Sequence, residues 1–323
     1  MDCNPATSFV LGDLTPSRQL PSIQTYPLSA YTNTGTVLDR ILEARRAEIE
    51  HRKAVLPEAA LKYGAKAAGP VRDFPGALSR DGLNVIAELK PASPSRGVLR
   101  DPFDATELAR VLAGAGAAAL SVLTEGQYFH GSLKNLRDAR KAVELPVLRK
   151  DFIFDPWQVW EARANDADSF LLIVAVLDDS LLRELIALGR VLGMEPLVEV
   201  HTAPELERAI DASARIIGVN NRDLKTMAVR TETSFELIEK VPEECLAVSE
   251  SGIGSHQDLF DLRRAGFDGF LIGEHLMLAE DPAAALSGLL KETPLEQQLL
   301  REAENPTAAG ESSAATPQTD PAS

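Results

Sequence analysis

Cysteine is scarce. Cys3 and Cys245 are the only two in 323 residues, too few for a disulfide framework, and no C-x-x-C or clustered Cys/His run offers a metal site. Cys245 lies in an apolar run and reads as a small buried hydrophobe, in keeping with a reducing cytoplasm. No apolar run reaches the roughly 18 residues that a membrane span needs. Basic charge is in deficit, with 33 Lys and Arg against 48 Asp and Glu, and the net charge of −15 argues against nucleic acid or an anionic membrane as partner. No Gly-x-Gly-x-x-Gly opens a helix after the first strand-like run, which counts against an open dinucleotide-binding sheet. The N-terminal segment has little apolar periodicity, and Asp2 and Asp13 stand there against a single Arg18, unlike an Arg-rich transit peptide. Residues 1–34 are therefore expected to be disordered, as is the Ala/Ser/Thr/Pro/Glu tail over 296–323, and neither is expected to carry chemistry.

What is present is a long periodic middle. Thr36-Val-Leu-Asp39 reads as a capping box opening an amphipathic helix to about Lys53, with Leu38, Ile41, Leu42 and Ile49 on one face. Residues 35–83 are expected to form an N-terminal helical extension. Eight apolar, strand-like runs follow: Val85–Leu89, Ala119–Leu123, Pro146–Arg149, Ser169–Val174, Pro196–Val200, Ile216–Asn220, Leu246–Ser249 and Gly269–Ile272. A helical segment with its own start signal separates consecutive runs. Asp101-Pro102, Asp155-Pro156 and Asp281-Pro282 each set an N-cap beside a first-turn proline, and Thr202-x-x-Glu205, Thr233-x-x-Glu236 and Ser255-x-x-Asp258 are capping boxes. Strands joined through helices pair in parallel. Eight of them fit one closed (β/α)8 TIM barrel over residues 84–295 better than an open doubly wound sheet.

In such barrels the chemistry gathers at the C-terminal ends of the strands. The first run ends in Glu88 and Lys90, which share a face because they are two residues apart, and then breaks at Pro91-Ala-Ser-Pro94. The second ends in Thr124-Glu125, the third in Arg149-Lys150-Asp151-Phe152 and the fifth in Glu199-Val-His201. The sixth ends in Asn220-Asn221-Arg222-Asp223, the seventh in Glu250-Ser251-Gly252 and the eighth in Gly273-Glu274-His275, while the fourth carries no charge before Asp178. Any one of these residues could be a cap or a solvated ion pair, and Asp178 and Asp223 read that way. Taken together they converge at least three carboxylates and two lysines on one mouth, where a pair about 5 Å apart interacts by roughly 3 kcal/mol. That is enough to separate acid and base roles. Ser251-Gly252 and Gly273-Glu274 offer small residues and free N–H groups where barrels often hold a phosphate. The residues thus point to a small phosphorylated, sugar-like substrate with acid–base chemistry at its other end.

With these residues set out, the chain resembles the indole-3-glycerol phosphate synthase family from about Val37 to Leu290. Seven blocks match in order: Glu88-Leu-Lys-Pro-Ala-Ser-Pro-Ser, Ser121-Val-Leu-Thr-Glu125, Leu148-Arg-Lys-Asp-Phe152, Leu197-Val-Glu-Val-His201, Gly218-Val-Asn-Asn-Arg-Asp-Leu224, Ser249-Glu-Ser-Gly-Ile253 and Gly273-Glu-His-Leu-Met277. The resemblance implies conversion of 1-(2-carboxyphenylamino)-1-deoxyribulose 5-phosphate to indole-3-glycerol phosphate, carbon dioxide and water, with no metal or organic cofactor. It implies Lys150 as the general acid on the ketone oxygen and Glu199 as the base of the dehydration. Lys90 is implied either to stabilise the developing oxyanion or to protonate the departing hydroxyl, with the phosphate also within its reach. Glu88 would hold the lysines, and Asn220 would bind the sugar hydroxyls and the reacting centre. Arg222 and Glu250 would support the charges, Ser93 and Phe152 would seat the anthranilate end, and Ser251, Gly252, Gly273 and the Glu274 backbone would receive the phosphate. The family's N-terminal extension packs over the barrel mouth, which implies the same for residues 35–83.

Two positions depart from the family pattern. Pro91 stands where many members carry a second basic residue, and His275 where a small residue is usual. Another phosphosugar barrel, such as a Schiff-base aldolase or an isomerase, and a non-catalytic scaffold are the competing readings. The acidic surface, with no evident apolar stripe, favours a monomer.

Overall fold

The computed structural model describes residues 37–223 and 225–291. The segments expected to be disordered, 1–34 and 296–323, and the proposed cap at Thr36 lie outside them. Eight strands close a barrel in which every neighbouring pair is parallel. They are β1 (Asn84–Leu89), β2 (Ala119–Leu123), β3 (Val147–Lys150), β4 (Ser169–Ile173), β5 (Leu197–Val200), β6 (Ile216–Asn220), β7 (Leu246–Glu250) and β8 (Gly269–Ile272). The expected (β/α)8 TIM barrel is the fold. Each strand read from the sequence falls within two residues of its observed bounds, because short apolar runs set off by caps and glycines leave little latitude.

Three helices precede the barrel: α1 (Val37–Val55), α2 (Glu58–Ala67) and α3 (Phe74–Leu78). Leu38, Ile41, Leu42 and Ile49 of α1 are all buried, as their spacing predicts. Between the strands run α4 (Ala105–Gly114), α5 (Leu133–Ala142), α6 (Pro156–Ala164), α7 (Asp179–Val191), α8 (Ala203–Asp211), α9 (Glu232–Ile238) and α10 (His256–Ala265), with α11 (Glu274–Leu278) and α12 (Pro282–Leu289) after β8. Asp155, Thr202, Ser255 and Asp281 cap their helices through their side chains, and at Ser255 the box with Asp258 is reciprocal.

Three local expectations are corrected. The Asp101-Pro102 signal does not open a helix, because α4 starts later, with Asp104 accepting from Thr106 N and Glu107 N. Thr233 lies inside α9, whose N-cap is Thr231 without a side-chain bond. Cys245 is only half-buried, with its Sγ 3.3 Å from the Ala214 carbonyl.

At the N-terminal end of the barrel, polar side chains seal strand starts rather than open a site. Asn84 Nδ2 donates to the carbonyls of Leu78, Arg80 and Asp268, and the carboxylates of Asp168 and Asp268 accept from Val147 N and Ala247 N.

The opposite end is fastened by charge. Asp151, directly after β3, accepts from Arg45 Nε and Nη2 of α1 at 3.0 and 2.6 Å, from Thr124 Oγ1 at 2.6 Å and from Arg149 Nη2 at 2.8 Å. Arg149 reaches on to Glu161 of α6 at 2.9 Å, and Glu161 also pairs with Arg52 of α1. Arg45, Arg149, Asp151 and Glu161 are each no more than 2% exposed. Buried charges persist only when paired and fully hydrogen-bonded, and this chain of ions meets that condition while tying α1 to β3 and α6. Truncating one partner strands the others. Arg149→Leu is expected to lower the free energy of unfolding by about 3–5 kcal/mol in chemical denaturation, whereas a change below about 1 kcal/mol would contradict this role.

Candidate active site

The C-terminal mouth of the barrel encloses a cavity of about 460 Å³, and all thirteen residues singled out from the sequence line it. Strand register sets their order around the rim. Asn220 of β6 pairs with Glu250 of β7, Glu199 of β5 pairs with Gly218 of β6, and Lys150 of β3 pairs with Leu123 of β2. Two ion clusters result. Lys90 Nζ lies 2.7 Å from Glu88 Oε2, and Lys150 Nζ lies 2.5 Å from Glu250 Oε2 and 3.3 Å from Glu199 Oε2. Asn220 adds a side-chain hydrogen bond to Glu199, while its Oδ1 accepts from Arg222 N at 3.0 Å.

Glu88, Glu199 and Glu250 are 1–3% exposed, so their ionisation is set by competition between burial and neighbouring charge. Burial works against the Glu88 carboxylate, but Lys90 and Lys150 outweigh it and hold its pKa below the ordinary value. Burial likewise opposes ionisation of Glu199, which Lys150 and His201 drive well below the carboxylate range. Glu250 goes the other way. Burial, only partly offset by Lys150 and reinforced by the Glu199 charge, pushes it up to about 7. Burial alone would lower the Lys150 pKa, yet Glu250, Glu199 and Glu88 together raise it well above the usual lysine value. Lys150 therefore remains an ammonium at neutral pH, facing two carboxylates of unlike proton affinity.

Two glycines make this crowding possible. A Cβ on Gly218 would sit 2.2 Å from Glu250 Oε1, and one on Gly273 would sit 2.1 Å from Glu88 Oε2. Any side chain at either position would displace a carboxylate that a lysine depends on.

The remaining rim divides into two ends. On one side Phe129 and Phe152 stand 6.0 Å apart at an interplanar angle of 45°, with Leu38 and Ile41 of α1 also on the lining. The Phe129 loop is held by Glu125, whose carboxylate accepts from the backbone N of Gln127, Tyr128 and Phe129. On the other side Ser251 and Gly252 take consecutive positive φ values of 65° and 81°, beside Gly273 and Glu274 at the start of α11. Glu274 pairs there with Arg96 at 2.8 Å and lies 3.6 Å from Arg222. Asn221 faces away from the cavity and secures the turn by donating to the Ser251 carbonyl at 3.0 Å.

Sequence reasoning gave no role to Phe129, Arg45, Asp151 or Gly218. Phe129 sits several residues past its strand, and the other three act through partners distant in sequence. Only the presence of Asp151 and Gly218 inside matched blocks hinted at them. Among the described residues no cluster of three or more His, Cys, Asp or Glu has the arrangement of a metal site, and no helix is long and apolar enough to cross a membrane.

Comparison with known proteins identifies the family. The family model for indole-3-glycerol phosphate synthase matches residues 38–289. Indole-3-glycerol phosphate synthase of Rhodococcus opacus (strain B4) is 48% identical over 255 residues, spanning 79% of this chain and 95% of the relative. The enzyme of Variovorax paradoxus (strain S110) is 45% identical over 263 residues, spanning 79% and 99%. A crystal structure of 3-hexulose-6-phosphate synthase from Salmonella typhimurium superposes with a TM-score of 0.53 at 15% identity, over 68% of this chain and 100% of that one, a likeness of fold alone. A barrel that carries the charged mouth and matches the family model over nearly its whole described length belongs to the indole-3-glycerol phosphate synthase family, the decarboxylating lyases of tryptophan biosynthesis.

Proposed function

We propose a division of labour for the family's reaction among the residues of this mouth. The observation that carries it is the Lys150 ammonium lodged between Glu250 and Glu199. The substrate's carboxyphenyl ring lies against Phe129 and Phe152 with Ser93 nearby, and its phosphate lies in the Ser251-Gly252 turn and on the backbone of Gly273 and Glu274. Consecutive left-handed residues form a concavity of N–H groups suited to an anion. The ketone then faces Lys150.

The aromatic carbon bearing the carboxylate attacks the ketone carbon, and Lys150 delivers a proton to the oxygen as it becomes a hydroxyl. Carbon dioxide leaves with the C–C bond electrons returning to the ring. Glu199 next removes a proton from the carbon beside nitrogen, and the hydroxyl departs as water with a proton from Lys90, closing the indole double bond. One proton is consumed overall, which balances the loss of a neutral carbon dioxide from a carboxylate. Glu88 keeps Lys90 in place, Asn220 holds the sugar hydroxyls and Glu199, and Arg222 pairs with Glu274 at the phosphate end. Pro91 supplies no charge for the substrate carboxylate; its carbonyl instead accepts from Leu99 N at 2.8 Å and closes the short hairpin after β1.

Helix α1 of the N-terminal extension packs on the mouth, a reading supported by Leu38 and Ile41 in the lining and by the Arg45–Asp151 pair, whereas Leu78 and Arg80 at the end of the extension meet the opposite end of the barrel. The chain works as a cytoplasmic monomer. The net charge of −15 and the scatter of exposed apolar residues, such as Val55, Tyr63, Val191 and Phe235, support that reading.

The reaction is followed by indole fluorescence after the carboxyphenylamino-deoxyribulose phosphate is mixed with purified protein in chelator. Turnover is expected in the wild type. A folded Lys150→Ala variant should lose at least several hundredfold in kcat, within the range of about 10²–10⁴ for a general acid. Undiminished turnover in the variant would move the acid to another residue.

A second expectation concerns pH. A carboxyl with a raised pKa is neutral below it and anionic above it, so Lys150 loses the charge of its nearest partner as pH falls through about 7. The kcat profile should therefore fall on its acid side near pH 7, and Glu250→Gln should abolish that limb along with much of the rate. A flat wild-type profile from about pH 5 to 9 would contradict this.

A further inference from the structure

His201 follows β5 directly and, unlike Glu199, does not line the cavity. It stands behind Glu199, its side chain 8% exposed, with Nε2 3.3 Å from Glu199 Oε1 and Nδ1 3.1 Å from Glu205 Oε2 on α8. Glu205 Oε2 also accepts from the His201 backbone N at 2.8 Å, which pins the outer carboxylate to the ring it faces. Both ring nitrogens thus lie close to carboxylate oxygens. A neutral imidazole has one unprotonated nitrogen, and in either tautomer that lone pair would meet an anion. Only the doubly protonated ring suits both neighbours. The Nε2 contact has ion-pair distance without hydrogen-bond alignment, so what it lends Glu199 is chiefly charge.

The charges around the mouth give this cation a purpose. Glu88, Glu199 and Glu250 are three buried carboxylates, and Lys90 and Lys150 are the two ammonium groups in contact with them. His201 supplies the third positive charge. It also divides the two oxygens of Glu199: Oε1 faces the imidazole, and Oε2 faces Lys150 and the cavity.

We propose that His201, held as an imidazolium between Glu199 and Glu205, is a positioning residue that keeps Glu199 anionic and fixes which of its oxygens receives the substrate proton. The inference rests on Glu199 being the base. Lys150, Glu88, Glu250 and Asn220 face Glu199 from β3, β1, β7 and β6, and Glu205 is the charged group on α8 that faces the ring; β4 and the turn Val174–Val176 carry no ionisable group. Burial works to lower the His201 pKa, but Glu199 and Glu205 overcome it and push it up to about 10.

Two measurements test the proposal. In the wild-type protein, nitrogen and carbon NMR shifts of the His201 ring, followed from about pH 6 to 9, should remain those of an imidazolium, and a ring that becomes neutral near its ordinary pKa of about 6.5 overturns it. In turnover assays the acid limb assigned to Glu250 also responds to the charge on Glu199, because the two carboxylates titrate against each other. His201→Gln should move that limb to higher pH by about one unit, a tenfold change in the proton equilibrium, with the loss of activity greatest on the acid side. Glu205→Gln should move it the same way by less. A His201→Gln variant that loses activity equally at every pH, with its limb unmoved, overturns the proposal. Glu199→Gln separates the two readings. Wild-type turnover in that variant would remove Glu199 as the base, whereas its inactivity beside an unmoved limb in His201→Gln would refute the role of His201 alone.

Discussion

The largely buried ammonium of Lys150 at the barrel mouth is the constraint around which the barrel is built. An ion in that position is tolerated only with opposite charge in contact, and Glu250 and Glu199 provide it at 2.5 and 3.3 Å. Three carboxylates close together are unfavourable in turn unless more cations answer them, which Lys90 and His201 do. The same crowding accounts for Gly218 and Gly273, whose missing Cβ atoms leave space for the Glu250 and Glu88 carboxylates. It also gives two chemically similar glutamates opposite tendencies. Glu199 has Lys150 and His201 beside it and is held anionic, while Glu250 is pushed up to about 7 by burial, with the Glu199 charge adding to it. Two carboxylates of unlike proton affinity can thus flank one ammonium.

The residue after Lys150 anchors this arrangement. Asp151 takes hydrogen bonds from Arg45, Arg149 and Thr124, and its own Oδ1 accepts from Phe152 N at 2.8 Å. One carboxylate therefore fixes the end of β3, the backbone of the Phe152 segment and the helix α1 that contributes Leu38 and Ile41 to the cavity. Lys53 to Asp155 at 2.7 Å and Trp157 Nε1 to the Leu56 carbonyl at 3.1 Å extend the fastening along α1 and α6. Lys150 and the aromatic end of the cavity share one anchored segment for this reason.

Much of this was legible in the sequence, for reasons that differ by element. The strands were readable because eight apolar runs recur with helix starts between them, and the polar strand ends followed from parallel topology. Local capping was less reliable. Asp101 and Asp104 have the same intrinsic preference for an N-cap, and only the structure shows that Asp104 takes it. The thirteen site candidates share one cavity because strand ends of a closed barrel must converge. Arg45 and Glu161 were not readable as a network, because their partners Asp151 and Arg52 lie more than a hundred residues away and single-sequence patterns carry local information only. His201 is different: Glu199 and Glu205 stand two residues before it and four after it, so the spacing was there to read and its meaning was not. Phe129 was missed because its direction is set by a loop wound on Glu125, not by strand period.

The most direct test of the account is a crystal structure of the protein with a substrate analogue in which the ketone is reduced to an alcohol. The account places the Lys150 ammonium within hydrogen-bond distance, about 2.6–3.2 Å, of that oxygen, with Glu250 and Glu199 still in contact behind it. An analogue seated with its alcohol oxygen on Lys90, and Lys150 left paired only to its carboxylates, would contradict it.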